Sequence, residues 1–171
     1  MDLKKSKNLI LVIGKTEGHL DQSVFAINIL NEKKGPPPEI NLFNEKNNGE
    51  TVLKLIKEGL ISSAHDISLG GIITAVSKMA IKGKKGFKLN KLKVLINKID
   101  YYFGEDQGRY IIEIEPKNLK KVEKIFKDNS VHYDELGVVT ENEIIVDKEP
   151  IIHIDDLTKS NNNWLKEYMV Q

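Results

Sequence analysis

Three consecutive prolines, Pro36 to Pro38, constrain the fold of this 171-residue chain more than any other feature. Each proline fixes its own φ angle and lacks the N–H group that a helix or a sheet ladder would use. The segment 33–40 (KKGPPPEI) can therefore form neither a helix nor a central strand. We expect an extended connection on the surface, with regular structure on either side of it.

Apolar patterning places secondary structure before and just after this connection. Residues 8–13 (NLILVI) form a continuous apolar run that ends at Gly14, which predicts a buried strand. The run is too short for a signal peptide or a membrane span. Apolar spacing predicts helices over 20–30 and 50–59, the second with Val52, Leu53, Ile56 and Leu60 on one side and Gly59 just past its end.

The remainder of the chain alternates between strand and helix patterns without a strict βαβ rhythm. Strands are predicted at 60–65, 109–115, 131–140, 143–146 and 151–154, with extended chain over 83–96 and helices at 71–81, near 119–126 and from Asp155 onward. Trp164 is expected to anchor the last helix by packing. We predict an α+β fold in which helices cover a mixed β-sheet, as one domain over 1–171 with about 8–170 folded.

Composition narrows the class of protein. Apolar residues make up 40%, charged residues 30%, and the net charge is +1, a balance that argues against a chain built to coat nucleic acid or an anionic membrane. Cysteine is absent from the sequence, which excludes disulfides and thiolate metal sites and indicates a reducing compartment. We expect a cytoplasmic protein.

The segment 63–71 (SAHDISLGG) joins a predicted strand to a predicted helix. Gly70 and Gly71 would let the backbone approach a ligand, and the free N–H groups of a helix start favour an anion. Asp66 and Ser68 would add a hard oxygen ligand and a hydroxyl, which suits a metal–phosphate group. The alternative is that Asp66 or Ser68 caps the helix and the glycines serve the turn.

The segment 103–110 (FGEDQGRY) contains Arg109, the single arginine among 26 basic residues. Glu105 and Asp106 could hold a metal, Gln107 could bind a substrate amide or hydroxyl, and Arg109 could grip a phosphate or carboxylate. The alternative is a turn whose Arg109 pairs internally with a neighbouring carboxylate. Because lysine is used everywhere else, we infer that this position needs a planar, bidentate donor.

The histidines give weaker signals. His65 and Asp66 are adjacent on a predicted strand and should point to opposite faces, so we expect no catalytic relay between them. A structural or capping role for His65 is favoured. His19, His132 and His153 show no metal-ligand spacing.

Taken in order, these segments resemble the C-terminal domain of the phosphoribosylformylglycinamidine synthases of the large-subunit type. The resemblance covers nearly the whole chain. It rests on Leu20, Ser23 and the segments 13–16 (IGKT), 35–42 (GPPPEINL), 65–71 (HDISLGG), 103–110 (FGEDQGRY), 136–140 (LGVVT) and 164–169 (WLKEYM).

The resemblance implies a role in purine biosynthesis. Such a synthase converts formylglycinamide ribonucleotide to the amidine, using ATP, Mg²⁺ and ammonia from glutamine. This chain would be its last quarter, with the remaining N-terminal domains, a small subunit and a glutaminase as partners. The family's catalytic histidine and most of its ATP ligands lie in parts that the sequence does not contain, so the isolated chain is expected to be inactive.

The resemblance also implies a set of site residues. By analogy with the other half of the synthase, Asp66 and 105–107 would line a second, nucleotide-like pocket. This assigns metal binding to Asp66, Glu105 and Asp106, loop structuring to Arg109, and nucleotide or phosphate (ATP or ADP) binding to Thr16, Ser68, Gly70, Gly71 and Gln107. Leu69 and Val24 depart from the family pattern, because each removes a carboxylate from the expected ligand face.

Two other interpretations remain open. The chain could be a non-enzymatic scaffold or relic that folds without binding a nucleotide, or a domain of a related synthetase of the aminoimidazole ribonucleotide or selenophosphate type. The proline connection and the FGEDQGRY segment argue against the related synthetases. An isolated copy would expose the sheet surface that such domains pair through, so we expect a homodimer.

Overall fold

The computed structural model describes residues 1–90, 96–146 and 152–170. Within these residues seven strands form one sheet in the order β2-β4-β1-β5-β3-β6-β7. Neighbouring strands run antiparallel except β3 and β6, which are parallel, so the sheet is mixed as predicted. The strands are β1 (Leu9–Ile13), β2 (Ser63–Asp66), β3 (Gly86–Leu89), β4 (Tyr110–Ile114), β5 (Tyr133–Thr140), β6 (Glu143–Val146) and β7 (Ile152–His153).

Helices cover both faces of this sheet, which confirms the predicted α+β class. They are α1 (Val24–Asn28), α2 (Leu42–Lys57), α3 (Gly71–Gly83), α4 (Lys98–Phe103), α5 (Leu119–Asp128) and α6 (Ile154–Met169), with a 3-10 turn at Pro116–Asn118. In the described part of the chain, no helix is long and apolar enough to cross a membrane.

The interior strand β1 separates two apolar cores. Ile10 and Val12 pack into a cluster with side chains of α3 and α4, whereas Leu11 and Ile13 face a second cluster built on α2 and α5. Successive side chains of a strand point to opposite faces, so a strand buried on both faces needs a continuous apolar run. This explains the unbroken run from which the strand was predicted.

Several element bounds and faces differ from the predictions. The helix expected over 20–30 is shortened to Val24–Asn28, capped by the Ser23 hydroxyl, which accepts a hydrogen bond from Ala26 N. The helix expected from 50 begins at Leu42, where the Asn41 side chain accepts from Asn44 N. α4 was not predicted, and part of the extended chain expected over 83–96 lies outside the described residues, as does the first residue of 151–154.

Two apolar predictions were wrong in orientation. Leu53 and Ile56 on α2 are about half exposed, at 48% and 51%, because α2 turns Thr51 and Leu55 towards the sheet instead. Trp164 is 59% exposed, and its ring contacts Tyr168 of the same helix at a centroid distance of 6.4 Å. Trp164 is therefore not the buried packing anchor that was expected.

A buried carboxylate fixes the start of the chain to the sheet. Glu113 on β4 is fully buried, and its two oxygens accept hydrogen bonds from four donors. The donors are Lys4 N (2.8 Å), Lys5 N (3.0 Å), Asn8 Nδ2 (2.7 Å) and Ser63 Oγ (3.1 Å). The four hydrogen bonds offset the cost of taking this charge out of water.

Candidate functional site

Arg109 ties the loop between α4 and β4 to the end of β1. The residue is 1% exposed, and its guanidinium donates hydrogen bonds from all three nitrogens. Nε donates to Asp106 O (3.1 Å), Nη1 to Thr16 Oγ1 (3.1 Å) and Nη2 to Gly104 O (2.7 Å). Burial lowers the pKa of this guanidinium, and the Asp106 carboxylate opposes the shift. Arg109 thus binds two carbonyl groups of its own loop, and the Thr16 hydroxyl accepts a hydrogen bond from the guanidinium.

The Asp106 carboxylate lies against a run of three backbone amides. Oδ2 accepts from Glu17 N and Gly18 N, each at 3.1 Å, and Oδ1 accepts from His19 N at 3.0 Å. Gly18 has a φ of +80°, which turns these successive N–H groups towards one point. We call these three amides the Asp106 cradle. Asp106 is 8% exposed, so its charge is both buried and fully hydrogen-bonded.

The Glu105 carboxylate joins the first residues of two helices. Its Oε1 accepts from Val24 N, at the start of α1, and from Gly70 N, the N-cap of α3, each at 2.8 Å. We call these two amides the Glu105 cradle. α3 has no acidic residue in its first turn and no side-chain cap of its own, so Glu105 supplies the negative charge that a helix start favours.

The glycines at the start of α3 serve a close approach of backbone to backbone. Gly70 and Gly71 have φ angles of +82° and +68°. A Cβ on Gly71 would lie 2.7 Å from both Gly104 O and Tyr102 O, so another residue would not fit. Neither Asp66 nor Ser68 caps α3, although the sequence allowed that interpretation. Gly70 is the N-cap, and the side chains of Asp66 and Ser68 are exposed.

His65 and Asp66 lie closer together than the strand argument predicted. His65 Nδ1 is 3.3 Å from Asp66 Oδ1 and 2.5 Å from the Asp66 carbonyl oxygen. Asp66 is the last residue of β2, where the alternation of faces no longer separates neighbouring side chains. Asp66 nevertheless stays exposed, at 63% of its side chain.

A cleft of about 1060 Å³ lies between the proline connection and the Gln107–Gly108 turn. Two of the predicted site residues, Asp106 and Gln107, line it, whereas the other predicted ligands do not. Its lining carries the carboxylates of Glu17, Asp21, Glu39, Glu45, Asp100 and Asp106. Lys15 is the one lysine or arginine among the described lining residues, so this cleft disfavours a phosphate that brings no cation with it.

The sequence did not single out Asn48, which shapes this cleft. Asn48 is 7% exposed and donates from Nδ2 to Gly108 O at 2.9 Å, which holds the turn beside α2. If the predicted helix had been started at Asn41 instead of residue 50, its periodicity would have placed Asn41 and Asn48, seven residues apart, on the same side of α2.

The structure does not assemble the three predicted metal ligands into a recognisable centre. Among the described residues, no group of three or more His, Asp or Glu side chains could hold a metal ion. Asp66 projects into solvent, while Glu105 and Asp106 bind backbone amides. Metal binding by these three residues stays a prediction.

A family model and curated relatives place this chain in the same family. Residues 6–148 match the family model described as AIR synthase related protein, C-terminal domain. Phosphoribosylformylglycinamidine synthase subunit PurL of Pelagibacter ubique (strain HTCC1062) is 66% identical over 169 residues, covering 99% of this chain and 23% of that protein. The same subunit of Bartonella quintana (strain Toulouse) is 38% identical, covering 96% and 22%. The resemblance to these synthases is thereby confirmed, and the chain spans about a quarter of the length of the curated relatives it matches.

Solved structures match the fold. T. maritima PurL complexed with FGAR superposes with a TM-score of 0.76 at 20% identity, covering 92% of this chain and 29% of that chain. The complex of the same protein with ATP gives 0.68 at 18% identity, covering 92% and 26%. A thiamine-monophosphate kinase from Stenotrophomonas maltophilia K279a gives 0.56 at 14% identity, covering 86% and 52%. At these identities the likeness establishes the α+β fold alone.

Proposed function

This chain belongs to the family of AIR synthase related proteins, C-terminal domain, and we propose that it supplies that domain to a phosphoribosylformylglycinamidine synthase. The observation that carries the proposal is the 66% identity to the Pelagibacter ubique subunit over almost the entire chain. The assembled enzyme would convert formylglycinamide ribonucleotide to the amidine, with ATP, Mg²⁺ and glutamine-derived ammonia. Structures of T. maritima PurL complexed with FGAR, ATP and ADP support this choice of substrate and nucleotide.

The partners follow from the same proposal. The chain covers 23% of the relative, so the remaining domains of the synthase are its first partners. A structure of PurLQS from Thermotoga maritima supports further subunits, which we assign as the small subunit and the glutaminase. The location of such a complex would be the cytoplasm.

For ligand contacts, we propose the exposed residues of the α3 start and of the cleft. Ser68 and Gln107 are exposed and would face a nucleotide from another domain, with Gly70 and Gly71 shaping the backbone beside it. Asp66 is the best placed of the predicted metal ligands because its side chain is exposed. A metal role for Glu105 and Asp106 would require both carboxylates to leave their cradles.

A domain exchange tests this function. The matching domain of the Pelagibacter ubique subunit is replaced by this chain, and amidine formation is measured with substrate, ATP, Mg²⁺ and ammonia. We expect activity from the chimera and none from this chain alone. A folded but inactive chimera would contradict the assignment, and turnover by this chain alone would contradict the proposed division of the site. The unmodified subunit serves as the control.

The second candidate is a scaffold or relic domain that binds no nucleotide. Leu69 is 65% exposed and Val24 37% exposed beside the α3 start, where the synthase pattern carries carboxylates, and this observation favours a degenerate site. Calorimetry with ADP and Mg²⁺ on the wild type and on Asp66→Ala separates the two candidates. Binding that the substitution weakens supports a ligand site, whereas no binding by either protein supports the scaffold.

We also propose that isolated copies associate as homodimers. The proposal rests on the sheet surface through which domains of this family pair with the partner half, and because helices cover both faces of β1, that surface would lie on other strands. Sedimentation that shows only monomer at tens of micromolar, about the range of weak interfaces, would contradict the proposal.

A further inference from the structure

The carboxylates of Glu105 and Asp106 occupy positions in which proteins hold bound anions. Successive backbone N–H groups that converge on one point form an anion-binding concavity, and a helix start offers free N–H groups with a favourable dipole. The Asp106 cradle is of the first kind, with three consecutive amides at 3.0–3.1 Å. The Glu105 cradle is of the second kind, since the amide at the start of α3 meets the Val24 amide at one oxygen. In both places the anion belongs to the protein itself.

We propose that Glu105 and Asp106 are positioning residues that act as built-in anions, locking three loops into one junction and keeping phosphate and Mg²⁺ out of both cradles. The three loops are 15–24, 66–71 and 104–109, which carry the motifs that were expected to bind a ligand. This inference concerns contacts within the chain and does not depend on the proposed synthase.

Charge explains why neither ion would enter. A phosphate in either cradle would lie next to a carboxylate that already holds the donors, so it would meet a like charge and find no free N–H. A Mg²⁺ ion on these oxygens would lie beside amide hydrogens, whose partial positive charge repels it. Asp106 has a further cation at hand, since Arg109 Nη1 is 3.4 Å from Oδ2. Asp106 is therefore paired with a cation, and Glu105 is hydrogen-bonded to two amides, without a ligand at either place.

The glycines of these loops support the same junction. A Cβ on Gly104 would lie 2.9 Å from Gly18 Cα, and a Cβ on Gly71 would lie 2.7 Å from Gly104 O. A Cβ on Gly14 would lie 2.8 Å from Gly108 O. These glycines thus allow the loops to pack closely against one another. This packing accounts for glycine at these positions without a bound phosphate.

Amide hydrogen exchange of the full chain tests the inference residue by residue. Asp106→Asn should raise exchange at Glu17, Gly18 and His19, and Glu105→Gln at Val24 and Gly70, by about tenfold or more for the loss of charge-assisted hydrogen bonds. Core amides of β1 should not change to the same extent, which separates loss of a cradle from general destabilisation. Glu50→Gln, an exposed acid 3.8 Å from Lys46, is the matched control.

A second measurement covers the case in which a variant does not fold. The amide resonances of the five cradle residues are followed in the wild-type chain during separate titrations with MgCl₂ and inorganic phosphate. Unchanged resonances support built-in anions. A shift confined to the cradle amides with either ion would overturn the inference, as would unchanged exchange at residues 17–19 in a folded Asp106→Asn protein. Neither result would bear on the domain exchange, so the two proposals fail separately.

Discussion

Arg109 and Asp106 form an ion pair, 3.4 Å from Nη1 to Oδ2, in which the guanidinium side chain is 0% exposed and the carboxylate side chain 10%. A buried cation must be both paired and hydrogen-bonded, and the planar fork of arginine lets one side chain meet Asp106, Thr16 and Gly104 together. Lysine, which the chain uses at every other basic position, has a single nitrogen and could not reach all three.

Arg109→Lys should therefore lower the free energy of unfolding by about 3 kcal/mol, since it leaves buried acceptors without donors. Urea denaturation followed by circular dichroism measures the change. The reverse exchange at an exposed position, Lys117→Arg, is the control and should change stability by less than about 0.5 kcal/mol. Equal stability of Arg109→Lys and wild type would refute the loop-structuring role.

Gly71→Ala should destabilise the protein by about 3 kcal/mol, because a φ of +68° and two carbonyl oxygens 2.7 Å from the new Cβ act together. Gly59→Ala is the matched comparison, with a φ of +64° but no atom within 4 Å of the new Cβ. Only the backbone cost of about 1 kcal/mol should appear there. Chemical denaturation of both variants gives the difference, and similar losses would show that close packing at Gly71 is unimportant.

Glu113→Gln should cost about 2–3 kcal/mol and loosen the start of the chain. Glutamine keeps one acceptor oxygen and turns the other into an N–H donor, so either Lys5 N and Asn8 Nδ2 or Lys4 N and Ser63 Oγ would lose their acceptor. Faster tryptic cleavage near Lys4 and Lys5 would report the loosening. Glu115→Gln, in which the altered acid pairs at the surface with Lys117, should leave cleavage unchanged.

Stability at high pH should depend on Tyr133. Burial and the hydrogen bond to Glu123 raise the pKa of Tyr133 from 10.0 to about 12. The folded state therefore keeps the proton while the unfolded chain loses it, so this stabilisation is complete below pH 10.0 and is lost as the pH rises to about 12. Tyr133→Phe should reduce the decline of the urea midpoint across this range. A decline as steep as that of the wild type would contradict the assignment.

Trp164→Ala should change the stability of the isolated chain by less than about 0.5 kcal/mol, because the indole is mostly exposed. Phe126→Ala, which removes a ring that is 1% exposed, should cost about 3–5 kcal/mol in the same thermal or urea experiment. A large loss from Trp164→Ala would mean that α6 packs more closely than the structure shows.

Local patterns predicted the elements whose burial is simple. β1 carries an unbroken apolar run because both of its faces are covered, and α3 buries one continuous stripe, so both were predicted correctly. α2 was misplaced because its buried side includes Asn48 and Thr51, which apolar periodicity does not count. The prediction for Trp164 was wrong because a large apolar side chain can be buried but need not be. Whether it is buried depends on the path of α6, which leaves Trp164 exposed.

The candidate site was predictable in its residue types and not in its contacts. The glycines, the acids and the lone arginine mark 66–71 and 103–110 as unusual, and both segments do meet. Their partners, however, come from far along the chain, as with Glu105 and Val24 or Asp106 and Gly18. Residue types alone cannot distinguish a carboxylate that awaits a metal from one that accepts backbone amides, since both need the same oxygens.

The position of β1 in the sheet also sets the order in which the protein can fold. Leu9 pairs with Ile114 on one side and with Val138 on the other, each more than a hundred residues away. β1 must therefore stay apolar and unpaired until β4 and β5, which follow it far along the chain, have been made. Closing such long loops is slow, and waiting strands are prone to aggregate. We expect refolding of this chain to be slow for its size and sensitive to protein concentration.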